Sequence, residues 1–369
     1  MTQTEPLTLP LDAWHRKHGA RMVPFAGFAM PLQFAGILAE HEWTRTSASL
    51  FDVSHMGQIS ASGAGAIPLL ESLLPTAVAN LAPGRIRYAL LLNEAGGIID
   101  DLMLTRRAED FLLIVNGATR LSDLAYMQGV AAPDAAVTLA EDQALLALQG
   151  PLAAKVLDAL VPGIAALSFM TAAAFAWEGA RLWISRSGYS GEDGFEISLP
   201  AAAATAFADA LIADERCRPA GLGARDSLRL EAGLPLYGHD LDENTDPLSA
   251  GLGFALSPAR MAAGGFNGHA ALARLAAAGP TNLRVGLALE GRLPAREGAV
   301  VMHDGHEVGR VTSGGFSPSL SHPIALAFVP PALAKEGTSL TVQVRGKDLP
   351  ARITPLPFVP HRYVRKGSV

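Results

Sequence analysis

The chain has 369 residues, of which 49% are hydrophobic and 17% are charged, and its formal net charge is -6. This balance is typical of a well-buried globular protein of two or three domains and argues against disorder. An acidic chain without a long basic block is not expected to bind nucleic acid. We find no apolar run of bilayer-spanning length and no signal or transit peptide, so we expect a cytoplasmic protein without a membrane partner.

Cysteine and histidine usage narrows the kinds of site. Cys217 is the single cysteine, which excludes an internal disulfide and a multi-cysteine zinc site, and we expect it to be a small buried side chain. The histidines lack the spacing of metal ligands. We find no phosphate-binding loop and no nucleophile elbow, and no dinucleotide fingerprint in a suitable context. The sequence therefore predicts an enzyme pocket without metal or nucleotide.

In chain order, apolar runs and turn residues predict two hairpins, two buried strands and a helix. The predicted elements are a hairpin of 88–93 and 98–104 around Gly96-Gly97, strands at 111–115 and 145–148, a hairpin of 181–185 and 195–199, and a helix at 201–213. After about residue 280 the helical patterns stop. Five short alternating runs follow, which favour an antiparallel barrel or sandwich: 285–289, 300–303, 308–312, 324–329 and 340–344.

The segment from Asn93 to Asp101 contains a paired-glycine turn followed by two aspartates. Neighbouring residues of a strand point to opposite faces, so one aspartate can face solvent while the other faces inward. An inward carboxylate loses its hydration, which favours the neutral form and makes it a candidate proton donor or acceptor. The alternative is that both aspartates end a turn in water.

Two further glycine-rich segments carry charged residues. In residues 188–196, Glu196 alternates with apolar neighbours and lies on a defined strand face, although a solvated acidic loop is the alternative. In residues 221–231, Arg225 follows a glycine-rich turn and could hold a ligand carboxylate with its planar fork. Arg229 lies four residues further along the same helical face. Ion pairs with Asp226 or Glu231 are the alternative for these arginines.

These segments resemble those of the glycine cleavage T-protein family. The resemblance is carried by six motifs that occur in the family's order between about residue 8 and Tyr363, with Phe28 and Ser190 where the family usually has tryptophan and threonine. The motifs lie at residues 22–27, 51–57, 96–101, 188–196, 221–233 and 312–320.

The resemblance implies an α+β cloverleaf of three domains, with folate in a central hole. Residues 1–279 would form two interleaved α+β lobes, roughly 1–50 with 140–279, and 51–139, and residues 280–369 an antiparallel β-barrel. It also implies site residues. Asp101 would be the catalytic acid near N5 of tetrahydrofolate, Glu196 would hold the pterin edge, Arg225 and Tyr363 would fix the far portion, and the pocket would be lined by Met56, Tyr88, Asn116 and Tyr189.

The activity implied by the resemblance is transfer of a methylene group to tetrahydrofolate. The group would arrive as an aminomethyl adduct on the lipoyl arm of a partner, the H-protein, and ammonia would leave. Two alternatives stay open within the same superfamily: a folate-dependent demethylase of a small methyl donor, and a non-catalytic folate-binding module. The intact Asp100-Asp101 pair favours the transferase.

Overall fold

The computed structural model describes residues 5–365. Within that range the chain forms nine α-helices: α1 Asp12–Lys17, α2 Ile37–Thr46, α3 Ala66–Leu73, α4 Arg120–Val130, α5 Ala153–Leu160, α6 Ala201–Ile212, α7 Leu222–Glu231, α8 Pro258–Ala263 and α9 His269–Ala278. The same range forms nineteen strands: β1 Arg21–Phe25, β2 Phe28–Gln33, β3 Ala48–Asp52, β4 Gly57–Ser62, β5 Ile86–Leu92, β6 Ile98–Arg106, β7 Asp110–Val115, β8 Ala136–Leu139, β9 Gln143–Gln149, β10 Thr171–Trp177, β11 Ala180–Arg186, β12 Gly194–Pro200, β13 Cys217–Pro219, β14 Leu283–Leu289, β15 Val300–His303, β16 His306–Ser317, β17 His322–Val329, β18 Ser339–Val344 and β19 Lys347–Thr354.

The first sheet has six strands in the order β10-β11-β12-β9-β3-β13. Only β13 runs parallel to its neighbour; the other pairs are antiparallel. Its central strand β9 is apolar at successive residues because both of its faces are covered. Leu146 and Leu148 pack into a core with residues of α5 and α6, while Leu145 and Ala147 point to the opposite face.

The second sheet has five antiparallel strands in the order β5-β6-β7-β4-β8. Strand β7 alternates in the same way as β9: Leu113 packs with α3 and α4 on one face, and Leu112 and Ile114 point to the other. That other face meets Leu145 of the first sheet and Leu228 of α7 in a shared core. The two sheets therefore pack face to face, and the candidate site lies at this junction.

The last six strands close into an antiparallel barrel in the order β14-β17-β16-β15-β18-β19. The mixed α+β fold with a C-terminal barrel confirms the predicted fold class, and the two hairpins, the two buried strands and the helix at 201–213 are also found. Strand β19 was not predicted, because Lys347, Asp348 and Pro350 interrupt its apolar pattern. Its pairing with β14 closes the barrel.

The division of residues 1–279 into lobes stays a prediction. Residues between 241 and 272 pack against the β5–β6 hairpin in a separate core that includes Leu90, Leu92 and Ile98. None of the helices in the described residues is long and apolar enough to cross a membrane.

A buried ion-pair network joins α7 to the barrel. Arg229 donates to Asp240 (2.8 Å) and to the hydroxyl of Ser313 (3.0 Å) on β16, and Ser313 donates to Asp240 (2.7 Å). Arg229 also pairs with Asp226 at 2.8 Å, which is the intramolecular pairing considered as an alternative above. The serine of the Thr312-Ser313-Gly314 motif is thus a structural contact between the barrel and α7.

A second buried network centres on Glu231 at the end of α7. Arg45 of α2 donates to Glu231 at 2.7 Å and to Glu192 at 2.9 Å. The backbone N–H and the hydroxyl of Ser319 donate to Glu231 at 3.0 and 2.7 Å. Burial raises the pKa of Glu231, but hydrogen bonds from His41, Ser317 and Ser319 and the His41 charge together hold it well below its usual range. The network fixes α2, α7, the 188–194 loop and the barrel against one another.

Candidate functional site

Three of the predicted site residues meet at the β5–β6 hairpin. Asp101 of β6 lies opposite Leu90 of β5, and its carboxylate accepts a hydrogen bond from the hydroxyl of Tyr88 at 2.8 Å. Asn116 directly follows β7, and its amide donates to Asp101 Oδ1 at 2.9 Å and to Asp100 Oδ1 at 2.7 Å. Asp101 as a residue is half-buried.

The surroundings of Asp101 raise its pKa into the neutral range. Burial and the nearby Asp100 raise the pKa of Asp101 to about 7, although the hydrogen bonds from Tyr88 and Asn116 lower it. Burial and the Asp101 charge also raise the pKa of Tyr88 well above its usual value, so that Tyr88 stays a donor. A carboxyl group that titrates near neutrality can both give and accept a proton under ordinary conditions.

The position of Asp100 differs from the expectation that one aspartate of the pair faces solvent. It points to the face opposite Asp101, as strand geometry requires, but it has 0% exposure and does not reach water. Asp123 of α4 lies on that face within hydrogen-bonding reach, and burial together with the Asp123 charge raises the pKa of Asp100 well above its usual value. Both aspartates of the pair are therefore perturbed, and the alternative that they end a turn in water is wrong.

Met56, Tyr189 and Arg225 form a second group. The Arg225 guanidinium lies 4.8 Å from the ring centroid of Tyr189 and 4.0 Å from the sulfur of Met56. Burial lowers the pKa of Arg225, and the charge of Glu196 partly opposes this. No carboxylate of residues 5–365 lies within 4.0 Å of the Arg225 guanidinium; among the two arginines of this helical face, Arg229 carries the ion pairs and Arg225 is available to a ligand.

The two groups are neighbours. The Asp101 charge contributes to a pKa of Tyr189 well above its usual value, after burial as the main cause, and the Tyr189 charge acts in the same way on Tyr88. The Tyr189 hydroxyl donates to the carbonyl of Pro235. The group around Asp101 and the group around Arg225 thus border one region at the junction of the sheets.

Glu196 lies on β12, opposite Ala147 of β9, and accepts a hydrogen bond from the Ser187 hydroxyl at 2.7 Å. It lines a cavity of about 20 Å³ between the sheets. Trp183 lines the same cavity, and its buried indole N–H has no partner within the part of the chain that the structure describes. A buried donor without an acceptor is rare in proteins. Sequence reasoning missed Trp183, since a tryptophan in an apolar strand is ordinarily a core residue.

Tyr363 lies apart from these groups. Its ring stacks on Phe169, with centroids 4.0 Å apart and planes 4° from parallel. The neighbouring Arg362 backbone N–H donates to the carbonyl of Gly191 at 2.8 Å. The segment that carries Tyr363 therefore lies against the 188–194 loop.

Comparison with known proteins gives the family. Residues 11–260 match the model of the GCVT N-terminal domain, and residues 283–360 match that of the glycine cleavage T-protein C-terminal barrel domain. The chain belongs to the glycine cleavage T-protein family. The resemblance seen in the six motifs is thereby confirmed.

Individual relatives cover almost the whole chain. The chain is 45% identical to the mitochondrial aminomethyltransferase of Gallus gallus, with 97% of this chain and 94% of that protein aligned. It is 46% identical to the aminomethyltransferase of Rubrobacter xylanophilus, covering 95% and 93%. The crystal structure of the glycine cleavage system aminomethyltransferase T from Bartonella henselae superposes with a TM-score of 0.93 at 44% identity, over 97% of this chain and 99% of that one.

Proposed function

We propose that this chain is an aminomethyltransferase that takes the methylene group of aminomethyl-lipoyl H-protein, transfers it to tetrahydrofolate and releases ammonia. The relatives at 45% and 46% identity are named aminomethyltransferases, which supports the proposal. The observation that carries the proposal is Asp101, a half-buried carboxyl with a pKa of about 7 between two fixed hydrogen-bond donors.

Tetrahydrofolate would supply both nucleophiles. Its N5 would attack the methylene carbon as the bond to the amino nitrogen breaks, and the N5 proton would leave with ammonia. Its N10 would then form the second bond to that carbon as the carbon–sulfur bond breaks, and the N10 proton would pass to the lipoyl thiol, giving 5,10-methylenetetrahydrofolate and dihydrolipoyl H-protein. The chain has to orient the reacting groups and manage a proton. Asp101 holds or delivers that proton at a carboxylate oxygen, and a positioned acid or base of suitable pKa typically contributes about 10²–10⁴-fold in rate. Tyr88 and Asn116 fix the direction of the Asp101 carboxylate, so its orientation is set before substrate arrives.

The donor set at the sheet junction fits a folate. Glu196 can accept two parallel hydrogen bonds from the amino-amide edge of a pterin, and the unpartnered Trp183 N–H lies on the same cavity. Arg225 has no carboxylate partner in residues 5–365 and can hold an anionic group of the ligand. Because the cavity is only about 20 Å³, a pterin ring enters only when lining side chains such as Trp183 move. Met56 and Tyr189 pack around Arg225 as further lining. Tyr363 would contact the far portion of the ligand from its position stacked on Phe169.

The proposal is tested by measuring ammonia release from aminomethyl-loaded H-protein with and without tetrahydrofolate. We expect release to be stimulated by folate, with methylenetetrahydrofolate formed in equal amount. Folate binding without turnover of this substrate would refute the proposal and would favour the demethylase or the folate-binding module. A screen of small methyl donors then separates those two alternatives.

The location of the protein is part of the same proposal. We place the reaction in the cytoplasm, although the similar protein of Gallus gallus is named as mitochondrial. Fractionation of cells that express the native chain tests this, and recovery in an organelle fraction would contradict it.

A further inference from the structure

On the face of the sheet opposite Asp101 lies a buried carboxylate that has no role in the proposed reaction. Asp123 of α4 has 0% exposure, and neither of its carboxylate oxygens has an N–H or O–H partner among residues 5–365. The nearby Thr119 hydroxyl donates to the carbonyl of Asn116 instead, at 3.2 Å. Two polar side chains lie within hydrogen-bonding reach of Asp123, the carboxyl of Asp100 and the hydroxyl of Thr119. Because the Thr119 proton goes to the Asn116 carbonyl, Asp100 is the group that can supply Asp123 with a proton.

The surroundings provide no cation for these two carboxyl groups. No lysine, arginine or histidine nitrogen of the described chain is paired with Asp100 or Asp123. The groups that face them are Asp101 on β6, Asn116 after β7, Thr119 before α4, and Tyr237, whose hydroxyl donates to the Ile98 carbonyl at 3.3 Å. Two buried carboxylates in contact cannot both be ionised, because they repel each other where water does not screen them.

The contacts of Asp100 indicate where a proton lies. Its Oδ2 accepts the backbone N–H of Asn116 at 3.0 Å, and its Oδ1 accepts the Asn116 side-chain N–H at 2.7 Å. The same Asn116 amide donates to Asp101 at 2.9 Å. A proton on Asp100 that points to Asp123 satisfies both carboxyl groups without disturbing these bonds, and it gives Asp123 the donor that it lacks.

We propose that Asp100 and Asp123 share one proton at neutral pH, and that Asp123 is thereby a positioning residue, which holds the pair at a single negative charge and keeps the Asn116 amide aimed at Asp101. The chain of contacts runs from Asp123 through Asp100 and Asn116 to Asp101. The positioning role rests on the proposed role of Asp101, whereas the shared proton does not.

The shared proton is tested by infrared spectroscopy of the protein without folate. All measurements use an Asp101→Asn background, so that Asp101 contributes no signal. We expect a carbonyl band of a protonated carboxyl group at neutral pH, and we expect it to vanish when Asp100→Asn is added. Adding Asp123→Asn instead should also remove it, because the new amide donates to Asp100 and allows it to ionise. The absence of a band in the Asp101→Asn protein, or its persistence after Asp123→Asn, would overturn the proposal.

The positioning role is tested by the pH dependence of kcat/KM for folate-dependent ammonia release. In Asp123→Asn the single negative charge of the pair rests wholly on Asp100, the chain neighbour of Asp101, so the limb of the pH profile that reports Asp101 should move up by about one pH unit. The control is Asp52→Asn, which breaks a buried pair with His15 of 2.8 Å and should lower thermal stability without moving the limb. A loss of rate in Asp123→Asn with an unmoved limb would mean that Asp123 is only structural.

The two tests separate this proposal from the proposed function. If Asp101→Asn retains full turnover, the catalytic role of Asp101 is wrong, while the infrared result still decides the shared proton. If Asp101→Asn is inactive and the Asp123→Asn limb does not move, the function stands and the positioning role fails.

Discussion

The hydrogen bond from Tyr88 to Asp101, 2.8 Å long, stabilises the ionised form of Asp101 and so lowers its pKa. Tyr88→Phe removes this donor and leaves the ring in place. A hydrogen bond to a charged group contributes about 1.5–3 kcal/mol, and one pKa unit corresponds to about 1.36 kcal/mol. Dividing the first by the second gives a rise of about one to two units. Starting from about 7, the pKa of Asp101 in Tyr88→Phe should therefore reach about 8 or above.

The measurement is the pH dependence of kcat/KM for folate-dependent ammonia release, which reports groups that titrate in the free enzyme. Tyr237→Phe is the matched control, since the Tyr237 hydroxyl donates to the Ile98 carbonyl and not to Asp101. We expect the limb of the pH profile that reports Asp101 to move to higher pH in Tyr88→Phe and to stay in place in Tyr237→Phe. An unmoved limb in an active Tyr88→Phe enzyme, or a shift to lower pH, would refute the assignment of that limb to Asp101.

Three further predictions concern the residues around the site. Arg229→Met should lower the free energy of unfolding by about 3–5 kcal/mol, because Asp240 stays buried without its cation; denaturant unfolding measures this, and a loss below about 1 kcal/mol would contradict the buried network. Arg225→Met should raise the Kd for tetrahydrofolate about tenfold without loss of thermal stability, since no ion pair of the described residues is broken; calorimetric titration with unchanged affinity would remove Arg225 from the site. Folate binding should change the tryptophan fluorescence, and Trp183→Phe should abolish the change; an equal change in that variant would place the ligand elsewhere.

Much of the fold follows from local patterns. The hairpin around Gly96-Gly97 is predictable because residue 96 adopts a positive φ of 84°, which glycine adopts without strain, and because apolar residues flank it. The barrel strands are predictable from their alternation. Strand β19 is not, because its role in closing the barrel depends on pairing with β14, more than fifty residues earlier in the chain.

The site was predictable only in part. The Asp100-Asp101 pair was singled out by the pattern, since a carboxylate on a buried strand face is unusual. The choice of Asp101 within the pair, and its neighbours Tyr88 and Asn116, came with the family resemblance. Asp123 and Trp183 gave no signal, because an aspartate in a helix and a tryptophan in a strand are ordinary until their partners are known. The burial of Asp100 depends on α4 crossing the far face of the sheet, which is a tertiary contact.

The central claim, that Asp101 manages the proton of the transfer reaction, is tested most directly by Asp101→Asn in a single turnover of aminomethyl-loaded H-protein with tetrahydrofolate. The fold should persist: burial raises the pKa of Asp101, so this carboxyl stabilises the protein fully at acidic pH and loses that contribution as the pH rises through about 7. The asparagine variant should accordingly be at least as stable as the native protein at mildly alkaline pH. We predict that it binds folate with near-native affinity and loses at least about 10²-fold in rate. Near-native turnover in this variant would contradict the account.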